Sequence, residues 1–310
     1  MKNMDLLSSD KTADYHLGQR TMEKKTYLLR ALNQDEIQVA VELTWQLSED
    51  PANRSYPLFQ SRDEIETEYV ARLREQNAAL IGCFQSERLI GLLCYFFQPG
   101  ERYLQTTAFM AAEDCAAVAD EFVKYLRANF KEYEIYIGIT AENICFSKIL
   151  QLNGYELIEA SLDMRLGRSQ FIDHDSSDHE IMRIDHTDFE EYAGFHEAHF
   201  DNIYWNVERL RNSIDQWTIL ALKTEGKING GLFLRTDAHT AEIFGMAFAN
   251  PIDEHVASAL LLRALKTVFE ENPGVDSVIF FMDEDEKPNQ SVALSNGFRR
   301  HSRYRCYRNA

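Results

Sequence analysis

Long apolar runs, signal-like segments and excess positive charge are what this 310-residue sequence lacks. No apolar run approaches the length of a membrane span, and the N-terminus has no charged-then-apolar segment. Lys and Arg number 32 against 50 Asp and Glu, which gives a formal net charge of −18. Nucleic acid and anionic membranes both require a positive surface, so we expect neither as a main partner. The charge suits a cationic or amine-bearing substrate, although solubility alone accounts for it.

Cysteine is also scarce. The five residues are Cys83, Cys94, Cys115, Cys145 and Cys306. Their odd number and irregular spacing match neither a disulfide framework nor a zinc motif, and four of the five lie in apolar strand or helix patterns. We therefore expect buried thiols in a reducing, cytoplasmic compartment.

The same order of elements occurs twice, on either side of a polar, Ser/Asp-rich stretch. Each half reads as strand, helix, helix, hairpin, strand, helix, strand, helix, strand. Aligning Gly91 with Gly230 also brings Ala108-Phe109 onto Ala247-Phe248 without a gap. A shared order with near-constant spacing predicts an internal duplication of two domain-sized units. The predicted division is a polar lead-in at 1–24, a first domain at 25–166, a linker at 167–179 and a second domain at 180–310.

Two short motifs indicate a family. The run "AEIFGMAF" at Ala241–Phe248 forms the fourth strand of the second half, and "NGF" at Asn296–Phe298 precedes its last strand. With this order of elements, the sequence resembles the GCN5-related N-acetyltransferase (GNAT) superfamily, once per half and over nearly the whole chain after about residue 25. The resemblance implies an α/β fold of two GNAT-like domains in tandem, each a mixed, mostly antiparallel sheet with helices on both faces. It also implies acetyl-CoA as the acyl donor.

The segment after the fourth strand departs from the family pattern. In the family a Q/R-x-x-G-x-G/A loop at a helix start holds the pyrophosphate of acyl-CoA on backbone N–H groups. The equivalent run here is "DEHVASA", Asp253 to Ala259, which has two acids and no glycine. A negative charge ~5 Å from a phosphate costs about 3 kcal/mol at an effective dielectric near 20. We expect Asp253 to cap the helix and phosphate binding to be weakened.

The resemblance also implies which residues contact the acyl donor, and a backbone N–H near Gly245–Ala247 would polarise the acyl carbonyl. The predicted acetyl-CoA contacts are Met246, Ala247 and Phe248 on the fourth strand, Val256, Ala257, Ser258 and Ala259 at the helix start, and Asn143 and Asn289 after the fifth strands. The tyrosine that protonates the departing thiolate in the family is replaced by Leu150 and Ala293. A thiol with a pKa near 8.5 leaves as a thiolate without such an acid.

Glu242 is the predicted catalytic residue. It lies on the alternating face of the fourth strand, where some family members keep a general-base glutamate, and the first half has Tyr103 there. Partial burial would raise the pKa of this carboxyl towards the value that a base needs near neutrality. The alternative is an outward-facing strand glutamate without a catalytic role.

The run "FHEAHFDNIYW" at Phe195–Trp205 contains two further candidates. His196 and His199 are spaced i, i+3, which is not the H-E-x-x-H zinc motif, so we expect solvated helix side chains and no metal. Tyr204 and Trp205 follow, where the family has its acceptor-binding loop. They either line an amine pocket through cation–π contacts or pack on the surface.

The sequence therefore predicts an acyl-CoA-dependent N-acyltransferase that acts through the second half, with Glu242 as general base. The acceptor would be a primary amine of a small molecule or peptide. The alternative is a catalytically silent tandem GNAT that serves as a binding or regulatory module, as the missing glycines favour. A transferase that uses aminoacyl-tRNA is disfavoured, because tRNA needs a basic face. The sequence does not indicate the oligomeric state.

Overall fold

A computed structural model defines the fold, and it describes residues 26–173, 179–200, 203–251 and 253–309. The predicted lead-in at 1–24 lies outside the described residues, as does the 174–178 part of the predicted linker. No helix in the described ranges has the length and apolar character needed to cross a bilayer.

The elements occur in the predicted order in both halves. Those of the first half are β1 (Tyr27–Ala31), α1 (Ile37–Ser48), α2 (Arg62–Arg74), β2 (Ala78–Gln85), β3 (Arg88–Gln98), β4 (Tyr103–Ala111), α3 (Cys115–Asn129), β5 (Glu134–Thr140), α4 (Ile144–Leu152) and β6 (Tyr155–Gly167). Those of the second half are β7 (Glu180–Arg183), α5 (Phe189–His199), α6 (Val207–Asn212), β8 (Trp217–Thr224), β9 (Lys227–Thr236), β10 (Thr240–Phe248), α7 (Glu254–Glu271), β11 (Ser277–Asp283), α8 (Lys287–Ser295) and β12 (Arg299–Asn309).

Local sequence explains where several elements begin and end. The β8–β9 hairpin turns at Glu225 and Gly226, both with positive φ (53° and 74°), as the tight two-residue turn of a twisted hairpin requires. Helix α2 begins after Ser61, whose side chain accepts a hydrogen bond from Glu64 N. Gly91 and Gly230, aligned in the sequence, each leave no room for a Cβ against neighbouring side chains. Close packing therefore requires glycine at equivalent points of the two halves.

The two halves share one sheet of twelve strands, in the order β1-β2-β3-β4-β5-β12-β6-β11-β10-β9-β8-β7. Only the β4–β5 and β10–β11 pairs are parallel among the described strands. The last strand of each half is exchanged: β12 lies between β5 and β6, and β6 pairs with β11. Each half therefore completes the sheet of the other. The division of the chain into two domains at the linker stays a prediction from the sequence.

Helices cover the two faces of the sheet unequally. On one face, α3 and α4 pack over the first half and α7 and α8 over the second, in two large apolar clusters. On the other face, α1 and α2 cover β2–β4, while α5 and α6 cover β8–β10. Strands β5, β12, β6 and β11 contribute no residue to the two buried clusters of this second face. We call the second face of these four strands the central strip.

The cysteines correct one expectation. Cys115 and Cys145 form a disulfide that joins the first turns of α3 and α4, with Cα atoms 6.5 Å apart. The prediction of thiols rather than disulfides was therefore wrong for this pair, because the fold brings together two residues whose separation of 30 matches no motif. Cys83, Cys94 and Cys306 are buried free thiols, as expected. Burial raises the pKa of Cys83 to about 11.

Candidate functional site

Glu242 lies on β10 with its side chain on the face of the central strip. Its neighbours along the strand, Ala241 and Ile243, are buried in the core under α7, so strand alternation turns Glu242 to the opposite face. Arg235 on β9 and Ile279 on β11 lie beside it in register. The side chain is partly buried.

The electrostatic surroundings of Glu242 hold its proton more tightly than usual. Burial, which has the largest effect, and the negative charges of Glu159 and Asp163 together raise the pKa of Glu242 from 4.5 to about 7, although the positive charge of Arg165 acts in the opposite direction. These three residues lie on one face of β6, two strands away. A carboxyl that titrates near neutrality is matched to the work of a general base at physiological pH.

A gap opens in the sheet beside Glu242. The pairing of β10 with β11 ends at Ile243 and Phe280, although β10 continues to Phe248 and β11 to Asp283. A β-bulge at Phe244 shifts the register of β10 at the same point. At Gly245 a Cβ would lie 2.6 Å from the Phe200 ring, so glycine allows this aromatic side chain to pack against the strand.

Backbone groups of β10 face the gap at alternate residues. Ala249 N donates to Asn229 O on β9, so Ala247 also faces β9, whereas Met246 and Phe248 face the gap. Asn289 Nδ2 donates to Met246 O at 3.1 Å, which confirms that this carbonyl points away from β9. Met246 and Phe248 are thus the members of the predicted strand set whose backbone reaches the gap. Asn289 is buried and binds the strand itself.

The start of α7 is capped by a carboxylate of the chain itself. Asp253 is the N-cap, and its carboxylate accepts a hydrogen bond from His255 N at 2.7 Å. The carbonyl of Asp253 accepts from Val256 N and Ala257 N, at 3.0 and 3.2 Å. The capping role predicted for Asp253 is confirmed. The N–H groups of His255, Val256 and Ala257 at this helix start are therefore already bonded to Asp253.

The small residues that follow serve packing and a helix–helix contact. Ala257 and Ala259 are buried at 4% and 5% exposure, so neither presents a side chain to a ligand. Ser258 Oγ donates to Asn296 Oδ1 at 3.0 Å, and Asn296 Nδ2 lies 2.8 Å from the same hydroxyl. This contact joins α7 to the turn after α8.

The equivalent gap in the first half is filled by its own chain. Strand β4 pairs with β5 only at Tyr103–Gln105, and residues 51–56, here called the inserted segment, lie between the two strands beyond that point. Ser55 pairs with Ile139 of β5, and its hydroxyl accepts a hydrogen bond from Phe109 N on β4 at 3.0 Å. Tyr56 N donates to Gly138 O at 2.9 Å.

Asn143, a predicted cofactor contact, holds the inserted segment in place. Its side chain caps α4 by accepting from Phe146 N, and its amide donates to Arg54 O at 3.3 Å. Thr140 Oγ1 donates to Pro51 O at 2.6 Å. The connection between the first two helices spans residues 49–61 in this half, but only 200–206 in the second. The second connection is therefore six residues shorter.

Tyr204 and Trp205 contact other protein groups in different ways. The Tyr204 hydroxyl lies 3.3 Å from Gln98 Oε1 and 3.4 Å from Glu101 Oε2, both in the first half, and the Arg209 guanidinium lies over its ring. Trp205 packs edge-on against Trp217 in the aromatic cluster under α5 and α6. Tyr204 is 37% exposed and bridges the halves, whereas Trp205 is a packing residue.

The histidine pair holds no metal-like arrangement. His196 is 1% exposed, and its ring nitrogens lie 3.2 Å from Tyr192 Oη and 2.9 Å from Trp205 O. Burial lowers the pKa of His196, so the ring is neutral near pH 7. The expectation of a solvated side chain was wrong for His196, because the chain after α5 folds back over the helix. In the described parts of the chain, no three His, Cys, Asp or Glu side chains converge on a metal position.

Sequence reasoning missed the residues that the strand exchange brings to Glu242. Strand β6 carries Glu159, Ser161, Asp163 and Arg165 at alternate positions, all on the central strip. The alternation of "EASLDMR" signals one polar face. It does not reveal that this face lies beside a strand of the other half.

Comparisons with known proteins identify the architecture. No family model and no curated protein sequence matches this chain. A GCN5-related N-acetyltransferase from Sphaerobacter thermophilus superposes with a TM-score of 0.66 at 14% identity, over 91% of this chain and 95% of that one. A tandem GNAT protein from the clavulanic acid biosynthesis pathway gives 0.59 at 13% identity, over 92% and 98%. A putative acetyltransferase from Pyrococcus horikoshii gives 0.52 at 12% identity, over 95% and 92%. The chain has the tandem GNAT fold that its order of elements predicted.

Proposed function

We propose that the protein is an N-acyltransferase that moves an acetyl group from acetyl-CoA to a primary amine of a small molecule or peptide. The observation that carries this proposal is the position of Glu242, a partly buried carboxyl with a pKa of about 7 beside the gap between β10 and β11. The similar structures from Sphaerobacter thermophilus and Pyrococcus horikoshii are those of an N-acetyltransferase and a putative acetyltransferase, and a base near neutrality is what amine acylation requires.

The second half is the active half in this proposal. Its gap has the backbone N–H groups of Met246 and Phe248 along one edge, which fit the extended thioester arm of an acyl-CoA. The first half offers no such edge, because Ser55 and Tyr56 take the β4 and β5 groups. The start of α7 does not fit the pyrophosphate equally well, since the Asp253 carboxylate lies there and already accepts a hydrogen bond from His255 N. We therefore expect the protein to bind acetyl-CoA weakly.

The reaction needs one proton acceptor and one polarising group. Glu242 in its ionised form takes one proton from the nitrogen of the neutral amine as it attacks, directly or through a water molecule. The nitrogen lone pair forms a bond to the thioester carbonyl carbon, and the carbon–sulfur bond breaks to leave a thiolate. A backbone N–H of β10 at the bulge stabilises the carbonyl oxygen as negative charge develops on it.

A second candidate function rests on the start of α7. The capped helix favours a catalytically silent protein that keeps the fold as a binding or regulatory module. The two functions differ in one measurable property, which is thiol release from acetyl-CoA.

The test is release of free thiol from acetyl-CoA with a panel of primary amines, on the full chain. We expect turnover, and a loss of about 100-fold or more in kcat for Glu242→Gln. Glu156→Gln, an exposed glutamate on β6, is the matched control and should retain full activity. If Glu242→Gln keeps wild-type turnover, Glu242 is not the general base. Absence of turnover with every amine would favour the silent module.

A further inference from the structure

The central strip contains a buried ion pair that no step of the proposed reaction uses. Asp163 on β6 is fully buried, and Arg165 binds it at two points, with Nε 2.8 Å from Oδ1 and a terminal nitrogen 2.9 Å from Oδ2. A buried, bidentate pair is held far more rigidly than the exposed ion pairs elsewhere on this chain.

The pair is held from the first half by the inserted segment. The Tyr56 hydroxyl donates to Asp163 Oδ2 at 3.2 Å. The Tyr56 ring packs edge-on against Tyr304 of β12, at 4.7 Å between centroids, and against Phe281 of β11, at 5.9 Å. At Gly138 of β5 a Cβ would lie 2.9 Å from the Tyr304 ring, so glycine is needed for this arrangement.

The pair also lies in one row with the proposed base. Glu242 pairs with Ile279, and Ile279 pairs with Arg165, so the three side chains project from the same face of adjacent strands. Two strand spacings separate the Cα atoms of Glu242 and Arg165, or about 10 Å. Ile279 between them is apolar, and it leaves the field of the pair unscreened by a polar side chain.

We propose that Asp163 and Arg165, with Tyr56 as their anchor, are positioning residues for Glu242, so that the first half takes part in catalysis although its own gap is filled. This inference rests on the proposed function of Glu242. The charges of the pair act on Glu242 in opposite directions, and holding them as a pair keeps the carboxyl titrating near neutrality. Removal of either charge alone therefore shifts the pKa of Glu242.

The other charged groups around Glu242 do not replace this pair. Arg235 on β9 is exposed to solvent. Glu159 on β6 is bonded to Ser161 Oγ at 2.6 Å, and its charge acts in the same direction as that of Asp163. His301 of β12 and Arg54 of the inserted segment lie on the far side of the pair, where burial and the Arg165 charge lower the pKa of His301.

The test follows the titration of Glu242 in the full chain by the carbon-13 signal of its labelled carboxyl group, assigned with Glu242→Gln. A unit charge about 10 Å away at an effective dielectric near 20 shifts a pKa by about one unit. We expect Asp163→Asn to lower the pKa of Glu242 by about one unit and Arg165→Gln to raise it by a similar amount. Arg165→Lys keeps the charge and should restore the wild-type value.

Two further variants extend the test. The double variant Asp163→Asn/Arg165→Gln removes both charges, so the pKa of its Glu242 should lie between the values of the two single variants. Glu284→Gln breaks the comparable Arg305–Glu284 pair, whose Arg305 lies on the opposite face of β12, and should not shift Glu242. Equal pKa values of Glu242 in wild type, Asp163→Asn and Arg165→Gln would overturn the proposal.

The acid limb of kcat/KM is measured in parallel, and it should move with the carboxyl titration. If the pKa of the Glu242 carboxyl shifts but the apparent pKa of the kcat/KM profile does not, the pair does not act on catalysis. That result would overturn the positioning role. Absence of turnover in the wild type, with the carboxyl shifts as expected, would refute the proposed function and leave the electrostatic link between the halves supported.

Discussion

The hydroxyl of Ser55 accepts a hydrogen bond from the backbone N–H of Phe109, at 3.0 Å, within the gap between β4 and β5. This contact places a side chain of the protein where the second half has an open strand edge. The halves share one order of elements, yet one gap is filled and the other is not. This asymmetry predicts that a ligand protects only one of the two gaps.

Acetyl-CoA should protect the second half from hydrogen exchange and leave the first unchanged. The amides of Met246 and Phe248 face the open gap, so their exchange should slow when the thioester arm lies along β10. Phe109 N is already bonded to Ser55 and should exchange at the same rate with and without ligand. Protection of β4 together with β10 would contradict the assignment of one site per chain.

The order of elements and the duplication could be predicted from the sequence because helices and strands follow local periodicity. The cap at Asp253 could be predicted for the same reason, since an N-cap depends on neighbouring residues. The exchange of β6 and β12, the inserted segment and the disulfide could not. Each depends on contacts between residues far apart in the chain, as Tyr56 and Asp163 illustrate with a separation of 107.

Removing the acids at the start of α7 should strengthen donor binding and weaken the fold. Asp253→Gln with Glu254→Gly takes two negative charges from the phosphate position, so we expect the Kd for acetyl-CoA to fall at least tenfold. Loss of the cap should lower the free energy of unfolding by about 1 kcal/mol. Calorimetric titration and urea unfolding measure the two effects.

Glu270→Gln removes one acid from the other end of α7 and provides the control for net charge. It should change neither the Kd nor the unfolding midpoint by much. If the double variant binds acetyl-CoA no better than Glu270→Gln does, the start of α7 is not the phosphate position.

Activity should fall below neutral pH because of Glu242. The base acts in its ionised form, so kcat/KM should fall about tenfold for each pH unit below about 7, where the pKa of Glu242 lies. A pH–rate profile over pH 5 to 9 with one amine measures the limb. An acid limb near pH 4.5, the ordinary value for a glutamate, would mean that the base is not a carboxyl with a raised pKa.

The same carboxyl should destabilise the fold at high pH. Its folded pKa of about 7 lies above the ordinary value of 4.5, so the folded chain binds this proton more tightly than the unfolded chain. The resulting loss of stability is fully present above pH 7, reaches at most about 3 kcal/mol, and is relieved as pH falls towards 4.5. Glu242→Gln should therefore raise Tm at pH 8 and leave it nearly unchanged at pH 4.5. Equal Tm differences at both pH values would exclude this linkage.

Reduction of the Cys115–Cys145 disulfide should destabilise the protein. A bridge that closes a loop of 30 residues stabilises by about 3.6 kcal/mol when its effect on the unfolded chain dominates. Urea unfolding with and without reductant measures this difference. A Cys115→Ser/Cys145→Ser variant should match the reduced wild type and show no response to reductant. A reductant effect that persists in this variant would assign the change to other groups.

The central claim is that the second half alone binds acetyl-CoA. A calorimetric titration of the full chain with acetyl-CoA tests it most directly, because the exchanged strands make the isolated halves poor substitutes. We predict one site per chain, weakened by Asp253, with binding detectable below millimolar ligand and a rise in Tm. Two equal sites per chain, or no heat and no rise in Tm at millimolar acetyl-CoA, would contradict it.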